Sequence, residues 1–134
     1  MTAPVKIPLE TSYGRNYEKA PWCYLLWGVP AVLIFAAGDA YQQGGLSLTA
    51  TGLLWALSVG WIGVGCFING RSCGRVHCRI DGFLFPPLAV VGTLNALSIV
   101  SFSWNLYWLV FTAILVASFV PEFTWKRYLG TPRA

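Results

Sequence analysis

Charged residues are scarce in this sequence. Of its 134 residues, nine are Lys or Arg and five are Asp or Glu, so that 10% are charged while 56% are hydrophobic. Soluble domains carry about 25% charged residues, and a soluble fold of this length could not bury so much apolar surface. The composition therefore indicates an integral membrane protein. The net charge of +4 does not indicate nucleic-acid binding, because the basic residues lie between and outside long apolar runs.

Signatures of catalysis are also missing. His77 is the only histidine, so two histidines of this chain cannot ligate a haem. The sequence has no Gly-x-Ser-x-Gly, no His-Glu-x-x-His, no phosphate-binding lysine after its glycine-rich stretch and no carboxylate pair suited to acid–base chemistry. We therefore favour a protein that is not an enzyme, and thiol redox chemistry is the only enzymatic alternative that the residues support.

Four apolar runs predict transmembrane helices, because a helix needs roughly 20 residues to cross the hydrocarbon core. The predicted spans cover residues 22–41, 49–68, 83–101 and 105–121. They lack the alternation of apolar and polar residues that is typical of membrane-spanning strands. The sequence thus predicts an all-α bundle of four transmembrane helices within residues 22–125. It is flanked by tails at 1–21 and 126–134 and interrupted by a polar loop at 69–82.

The basic residues predict how this bundle is oriented. They fall in the two tails and in the 69–82 loop: Lys6, Arg15, Lys19, Arg71, Arg75, Arg79, Lys126, Arg127 and Arg133. With four crossings these three segments share one side of the membrane, and the other side has no Lys or Arg. The positive-inside rule then places both termini and the loop in the cytoplasm, as in a protein of the prokaryotic inner membrane.

Small residues at four-residue spacing are expected to form the helix contacts, because close approach drives helix association in lipid. They are Gly52, Ala56 and Gly60 in the second run, Gly92 and Ala96 in the third, and Ala113 and Ala117 in the fourth. Trp55 and Trp61 are expected to pack between helices, and Pro30 predicts a kink or break near Gly28–Pro30.

Two polar residues within or beside the apolar runs have more than one interpretation. Asn95 lies within the third run, where it could form an interhelical hydrogen bond or line a substrate path. Asp39 lies near a predicted helix end, where an interfacial cap or a solvated acid is favoured over a transport residue.

The 69–82 loop contains the densest group of chemically versatile residues. In its stretch Ser-Cys-Gly-Arg-Val-His-Cys, Cys73 and His77 are four residues apart and would share one face of a helix, while Cys78 follows directly. Gly70 and Gly74 would alternatively allow a turn that brings the thiols together. Thiolates and imidazole bind Zn(II), Cu(I) and other thiophilic ions. The loop therefore predicts a metal site with Cys73, His77 and Cys78 as its core ligands.

Two further cysteines are expected near the same membrane surface. Cys23 begins the first predicted span and Cys66 closes the second, so both are candidate ligands or relays, or else ordinary small apolar residues. A cytoplasmic position would keep these thiols reduced. The loop arginines have two possible roles, which are favouring the thiolate form and binding anionic lipid headgroups or other anions; they are Arg71, Arg75 and Arg79.

The Cys-Gly-Arg-Val-His-Cys stretch, with its flanking helices, resembles a loop of small, largely uncharacterised prokaryotic multi-span membrane proteins. The resemblance implies a multi-span helical fold. The architecture is also similar to that of small mercury-uptake proteins, which combine few spans with cysteine pairs. The first helix here departs from that pattern, because it has the single Cys23 rather than a vicinal pair.

Three functions remain open on this basis. The chain could bind a soft or transition metal ion through its Cys/His loop and take part in metal handling or transport. It could be a non-catalytic accessory subunit of a larger membrane assembly or homo-oligomer. It could also be a thiol redox membrane protein. The metal-binding role is the most specific of the three, and the lipid bilayer is the expected partner in each.

Overall fold

The fold is all-helical in its described part, and each predicted apolar run overlaps a helix, although the second and third helices extend into the predicted 69–82 loop. The computed structural model describes residues 21–124, apart from the side chains of residues 71–73. Within this part of the chain there are helical elements only: a π-helical turn at Tyr24–Gly28, α1 at Val29–Gln42, α2 at Leu48–Cys73, α3 at Val76–Ala96 and α4 at Trp104–Thr124. Three segments are long and apolar enough to cross a membrane, namely Tyr24–Gln42, Leu48–Gly70 and Trp104–Thr124. The prediction of a helical fold with membrane-spanning segments is confirmed to this extent.

The prediction of a 14-residue loop at 69–82 is wrong. Helix α2 continues to Cys73, Gly74 reverses the chain with a left-handed φ of 68°, and α3 begins at Val76 after an extended Arg75. A glycine adopts this conformation without steric penalty, so that Gly74 can end one helix and let the next begin after two residues. Most polar residues of this stretch therefore belong to the end of α2 and the start of α3. Polarity alone does not distinguish a helix end from a loop.

Glycines hold α2 and α3 close together as an antiparallel hairpin. A Cβ atom on Gly82 would lie 2.6 Å from both Cα and N of Phe67, and one on Gly63 would lie 2.7 Å from Cδ of Pro86. The predicted α2 contact residues Ala56 and Gly60 also face a neighbouring helix, since Ala56 is fully buried and a Cβ on Gly60 would meet Ala89. The third predicted residue, Gly52, is also a close contact, because its Cβ would run into the Trp104 ring and meet Ala96 at 3.0 Å. Between α2 and α3, the tightest approach is nevertheless at Gly63 and Gly82, which the small-residue stripes did not include.

Helix α4 packs on α3 through its aromatic residues. The buried core joins Val59 of α2, Phe85 of α3 and Tyr107 of α4, and a Cβ on Gly92 would lie 2.7 Å from the Tyr107 ring. The expectation that Gly92 and Ala96 form contacts is confirmed, because both are buried. The same expectation is wrong for α4, where Ala113 and Ala117 are exposed on the chain surface.

The two tryptophans predicted to pack between helices behave differently. Trp55 makes edge contacts with Trp104 and Trp108 at ring-centroid distances of 5.3 and 5.4 Å, and its Nε1 donates to the Ile34 carbonyl. Trp61 instead is 41% exposed, so the prediction is confirmed for Trp55 and wrong for Trp61. Both lie on α2, and the side on which a helix meets its neighbours cannot be deduced from an all-apolar run.

The predicted break near Gly28–Pro30 takes the form of a change in helix type. The turn at Tyr24–Gly28 is π-helical, and Pro30 occupies the first turn of α1, where its missing N–H does not interrupt the helix. At the other end of α1, the Asp39 carboxylate is exposed and accepts from Gln43 Nε2 at 2.7 Å. This matches the interpretation of Asp39 as a solvated acid at a helix end.

Asn95 closes the connection between α3 and α4. Helix α3 ends at Ala96, and Asn95 Oδ1 accepts from the backbone N of Phe102 at 3.0 Å. The bond is made to the adjoining loop, so the prediction of an interhelical hydrogen bond is wrong, and the helix ends at residue 96 rather than at the predicted residue 101.

Removing this loop bond should have a modest cost. We expect Asn95→Ala to lower the free energy of unfolding by about 1 kcal/mol, since it leaves the Phe102 N–H without its acceptor. Thermal unfolding in detergent measures the change. Asn105→Ala is the matched control, because Asn105 is exposed on α4; an equal effect of both substitutions would contradict the assigned role of Asn95.

The four helices alternate in direction, which brings four chain segments to the same end of the bundle. Trp27 Nε1 lies 3.4 Å from Cys66 Sγ, linking the π-helical turn to the end of α2. His77 Nδ1 lies 2.7 Å from Glu122 Oε1, linking the start of α3 to the end of α4. We call this the site end of the bundle, because it gathers the chemically versatile side chains.

Candidate functional site

A cavity of about 370 Å³ lies at the site end, between all four helical segments. Aromatic and aliphatic side chains form much of its wall, and seven of its lining residues have side chains with a sulphur, nitrogen or oxygen atom: Cys23, Trp27, Cys66, Asn69, His77, Cys78 and Asp81. Among the described residues that line the cavity there is no lysine or arginine. The lining therefore combines soft and acidic groups with an apolar surround, a composition that suits a cation.

The His77 side chain is fixed by three contacts. Its Nδ1 lies 2.7 Å from Glu122 Oε1, the same oxygen accepts from the His77 backbone N at 3.3 Å, and the ring stacks on Phe119 with a centroid distance of 4.4 Å. The His77 and Glu122 side chains are only 13% and 8% exposed. A carboxylate oxygen accepts hydrogen bonds, so Nδ1 carries the shared proton and the lone pair of neutral imidazole is on Nε2.

Nε2 of His77 is directed at a thiol. It lies 3.2 Å from Cys78 Sγ, and Asn69 Nδ2 approaches the same sulphur at 3.5 Å. Cys78 and Cys66 are 1% and 4% exposed and pack in one buried cluster. The arrangement joins a carboxylate, an imidazole and a buried thiol in one continuous chain, from Glu122 through His77 to Cys78.

Two buried oxygen atoms of the cavity wall have no hydrogen-bond donor. They are Oδ1 of Asn69 and Oδ1 of Asp81, whose side chains are 0% and 1% exposed. The Ser118 hydroxyl is close to the Asp81 carboxyl group, but it donates to the Leu115 carbonyl at 2.8 Å, and Oδ1 of Asp81 has no partner. A buried acceptor without a donor is costly. Their presence in one cavity indicates a place for a cation or for a donor group.

The predicted site residues are brought together only in part. Cys23, Cys66, His77 and Cys78 line the same cavity, whereas Cys73 is the last residue of α2 and its side chain lies outside the described part of the structure. In that described part, no group of three or more His, Cys, Asp or Glu residues has a metal-ligating arrangement.

Arg75 and Arg79 are not among the described residues that line the cavity. Arg79 is exposed on α3 and Arg75 is half-buried in the turn before it, while the Arg71 side chain is outside the described residues. Their predicted contact with lipid headgroups or other anions stays a prediction.

Sequence reasoning missed Glu122 and Asp81. Glu122 lies beyond the end of the fourth predicted run, and Asp81 lies in the stretch that was interpreted as a loop. Their rarity could have identified them as candidate site residues, because the chain has only five acidic residues and acids next to membrane spans usually have a partner. Asp81 also follows His77 by four residues, which places both on one face of a helix.

The interpretation of this site rests on its own residues. No protein-family model, curated protein or solved structure matches the chain.

Proposed function

We propose that this chain is an integral membrane protein that binds a soft or transition metal ion in the cavity at the site end. The ligands are His77 through Nε2, Cys78 and Cys66. The observation that carries the proposal is the contact chain from Glu122 to His77 to Cys78. Metal-binding histidines almost always donate their second ring N–H to a carboxylate or carbonyl, which fixes the ring and raises its basicity. Glu122 stands in this relation to His77 at 2.7 Å.

The ligand set suits thiophilic ions. Thiolate sulphur selects Zn(II), Cu(I) and related ions, and imidazole nitrogen is compatible with Zn(II) and copper. Cys78, as a thiolate, and His77, through Nε2, would hold the ion, and these two atoms are 3.2 Å apart. Cys66, packed beside Cys78, supplies a second sulphur. Cys23 also lines the cavity and is less buried, so it is positioned to receive an ion first.

The membrane arrangement that we propose has four crossings. Helix α3 has 21 residues, enough to span the hydrocarbon core at 1.5 Å per residue, and its two charged residues, Arg79 and Asp81, lie toward the site end. Both termini would face the cytoplasm of a prokaryotic cell, since the three basic segments then share one side. The cavity would open near the cytoplasmic surface, where thiols stay reduced.

The thiols provide the direct test. We expect the purified full-length protein to bind one Zn(II) or Cu(I) ion, and we expect Cys78→Ser and Cys66→Ser each to lower the affinity by more than about 100-fold, because each removes a sulphur ligand. Metal analysis after dialysis and competition with a chelator measure both effects. Cys23→Ser should retain the bound ion, since the two buried sulphurs and His77 remain.

Several outcomes would contradict the proposal. A wild-type protein that binds no Zn(II), Cu(I) or Hg(II) in stoichiometric amount, and whose thiols gain no protection from these ions, would rule it out. Reversible oxidation of Cys66 and Cys78 to a disulfide, without metal binding, would indicate thiol redox function instead. A loss in Cys73→Ser as large as that in Cys66→Ser would restore Cys73 as a core ligand.

An accessory role in a larger membrane assembly is the second candidate. Ala113 and Ala117 of α4 are exposed at four-residue spacing on the chain surface, a pattern typical of helix–helix contacts in lipid. Such a stripe would pack on a helix of a partner or of a second copy. Substituting both alanines with leucine and measuring the size of the detergent-solubilised complex distinguishes this role from a monomer surrounded by lipid.

A further inference from the structure

Asp81 is a buried acid whose environment lacks the usual compensation. It lies in the second turn of α3, is 1% exposed and has one carboxyl oxygen without a hydrogen-bond partner. Among the described residues that line its cavity there is no lysine or arginine. Buried carboxylates are normally paired with a cation or coordinate a metal. The described lining therefore leaves Oδ1 of Asp81 open to a cation that enters the cavity.

The ring nitrogens of His77 contact groups other than Asp81. His77 lies one helical turn before Asp81 on α3, but its Nδ1 contacts Glu122 at 2.7 Å and its Nε2 faces Cys78 at 3.2 Å. The Ser118 hydroxyl, also close to the carboxyl group, is neutral and donates to the Leu115 carbonyl. Asp81, whose Oδ1 has no partner, lines the same cavity as the buried thiols of Cys66 and Cys78.

We propose that Asp81 is an oxygen ligand of the ion in this cavity and makes the site selective for a divalent ion of the Zn(II) class over a monovalent soft ion such as Ag(I) or Cu(I). This inference rests on the proposed metal-binding function. A mixed set of sulphur, nitrogen and carboxylate oxygen is compatible with Zn(II), whereas soft monovalent ions select thiolates and gain little from an oxygen ligand. The charge balance agrees, since two thiolates and one carboxylate are better neutralised by a divalent ion.

Binding titrations on the full-length protein in detergent test this selectivity. The probes are Zn(II), Co(II), whose visible spectrum reports its ligands, and Ag(I) as a redox-stable monovalent soft ion. We expect Asp81→Asn to lower the affinity for Zn(II) and Co(II) by at least about tenfold, and the affinity for Ag(I) by less than about threefold. The Co(II) spectrum of the variant should change with the loss of the oxygen ligand.

Two controls keep the outcome interpretable. Asp39→Asn removes the same charge from an exposed acid of α1 that is bonded to Gln43, and it should leave all three affinities unchanged. Asp81→Glu keeps the carboxylate, so it should retain the preference for divalent ions with a shifted Co(II) spectrum, and it decides the question if Asp81→Asn does not fold.

Different failures point to different errors. Unchanged Zn(II) affinity in Asp81→Asn, or equal losses for Zn(II) and Ag(I), would overturn the role of Asp81 and leave the metal site itself standing. A wild-type protein that binds Ag(I) but not Zn(II) would have the same consequence. A wild-type protein that binds none of the three ions would overturn this inference together with the proposed function.

Discussion

Gly82→Ala is expected to force α2 and α3 apart and to lower the free energy of unfolding by about 3 kcal/mol. The added Cβ would lie 2.6 Å from Cα and N of Phe67 and 3.0 Å from the carbonyl carbon of Cys66. All three neighbours are backbone atoms of α2, so the clash cannot be relieved by rotating a side chain. The helices themselves must separate.

The same substitution should also distort the cavity, because Gly82 lies beside the contact between Cys66 and Cys78. Cys66 is at the position where the new Cβ would press on α2, and the two thiols pack together across this helix pair. Thermal unfolding and size-exclusion chromatography in detergent measure the loss of stability, and metal titration measures the loss of the site.

Gly38→Ala is the matched control for this prediction. It also adds a methyl group to a helical glycine, but the nearest neighbour of its Cβ would be a Trp55 ring carbon at 3.6 Å, an ordinary contact. Its stability should therefore stay within about 1 kcal/mol of the wild type. If Gly82→Ala proved equally stable, the close approach of α2 and α3 at this point would be incorrect.

His77→Ala is expected to abolish measurable metal binding, and Glu122→Gln to weaken it by about 10- to 100-fold. The substitution His77→Ala removes the nitrogen ligand from the site entirely. Glu122 is not among the residues that line the cavity, but it contacts the His77 ring at 2.7 Å, so its replacement by a neutral amide of equal size should change the orientation and basicity of that ring. Competition between the protein and a chelator for Co(II) or Zn(II) measures both affinities.

A structural role of Glu122 alone would give another pattern. The Glu122 side chain also ties the end of α4 to the start of α3 through the His77 backbone N, and loss of this tie would lower the unfolding temperature of the metal-free protein. We expect Glu122→Gln to change metal affinity by more than its effect on metal-free stability accounts for. Unchanged affinity combined with reduced stability would show that Glu122 only joins the helices.

The helices and their approximate limits follow from the sequence because long apolar runs have few alternatives. Runs of about 20 apolar residues must satisfy their backbone groups internally in lipid, and a helix does so. The polar stretch between the second and third runs was harder to interpret, since polar residues occur both in loops and at helix ends. Only the left-handed Gly74 marks the actual turn.

Part of the candidate site was also predictable from local features. The alternation of spans placed Cys23, Cys66, His77 and Cys78 near one end of the bundle, and they line one cavity there. Their pairing was not predictable. The sequence gives Cys73 and Cys78 as neighbours, whereas the structure packs Cys78 against Cys66, a contact fixed by how α2 and α3 align along each other.

The sequence by itself determined the class of this protein, its helices and the end of the bundle at which its thiols gather, because hydrophobicity and charge act over whole segments. The tertiary structure alone decided that Glu122 contacts the His77 ring, that His77 faces Cys78 and that Asp81 is buried in the same cavity wall. Contacts between helices depend on axial alignment and rotation. The alignment and rotation of α2 and α3 are set by glycine contacts such as that of Gly82 with Phe67. They cannot be predicted from the apolar runs.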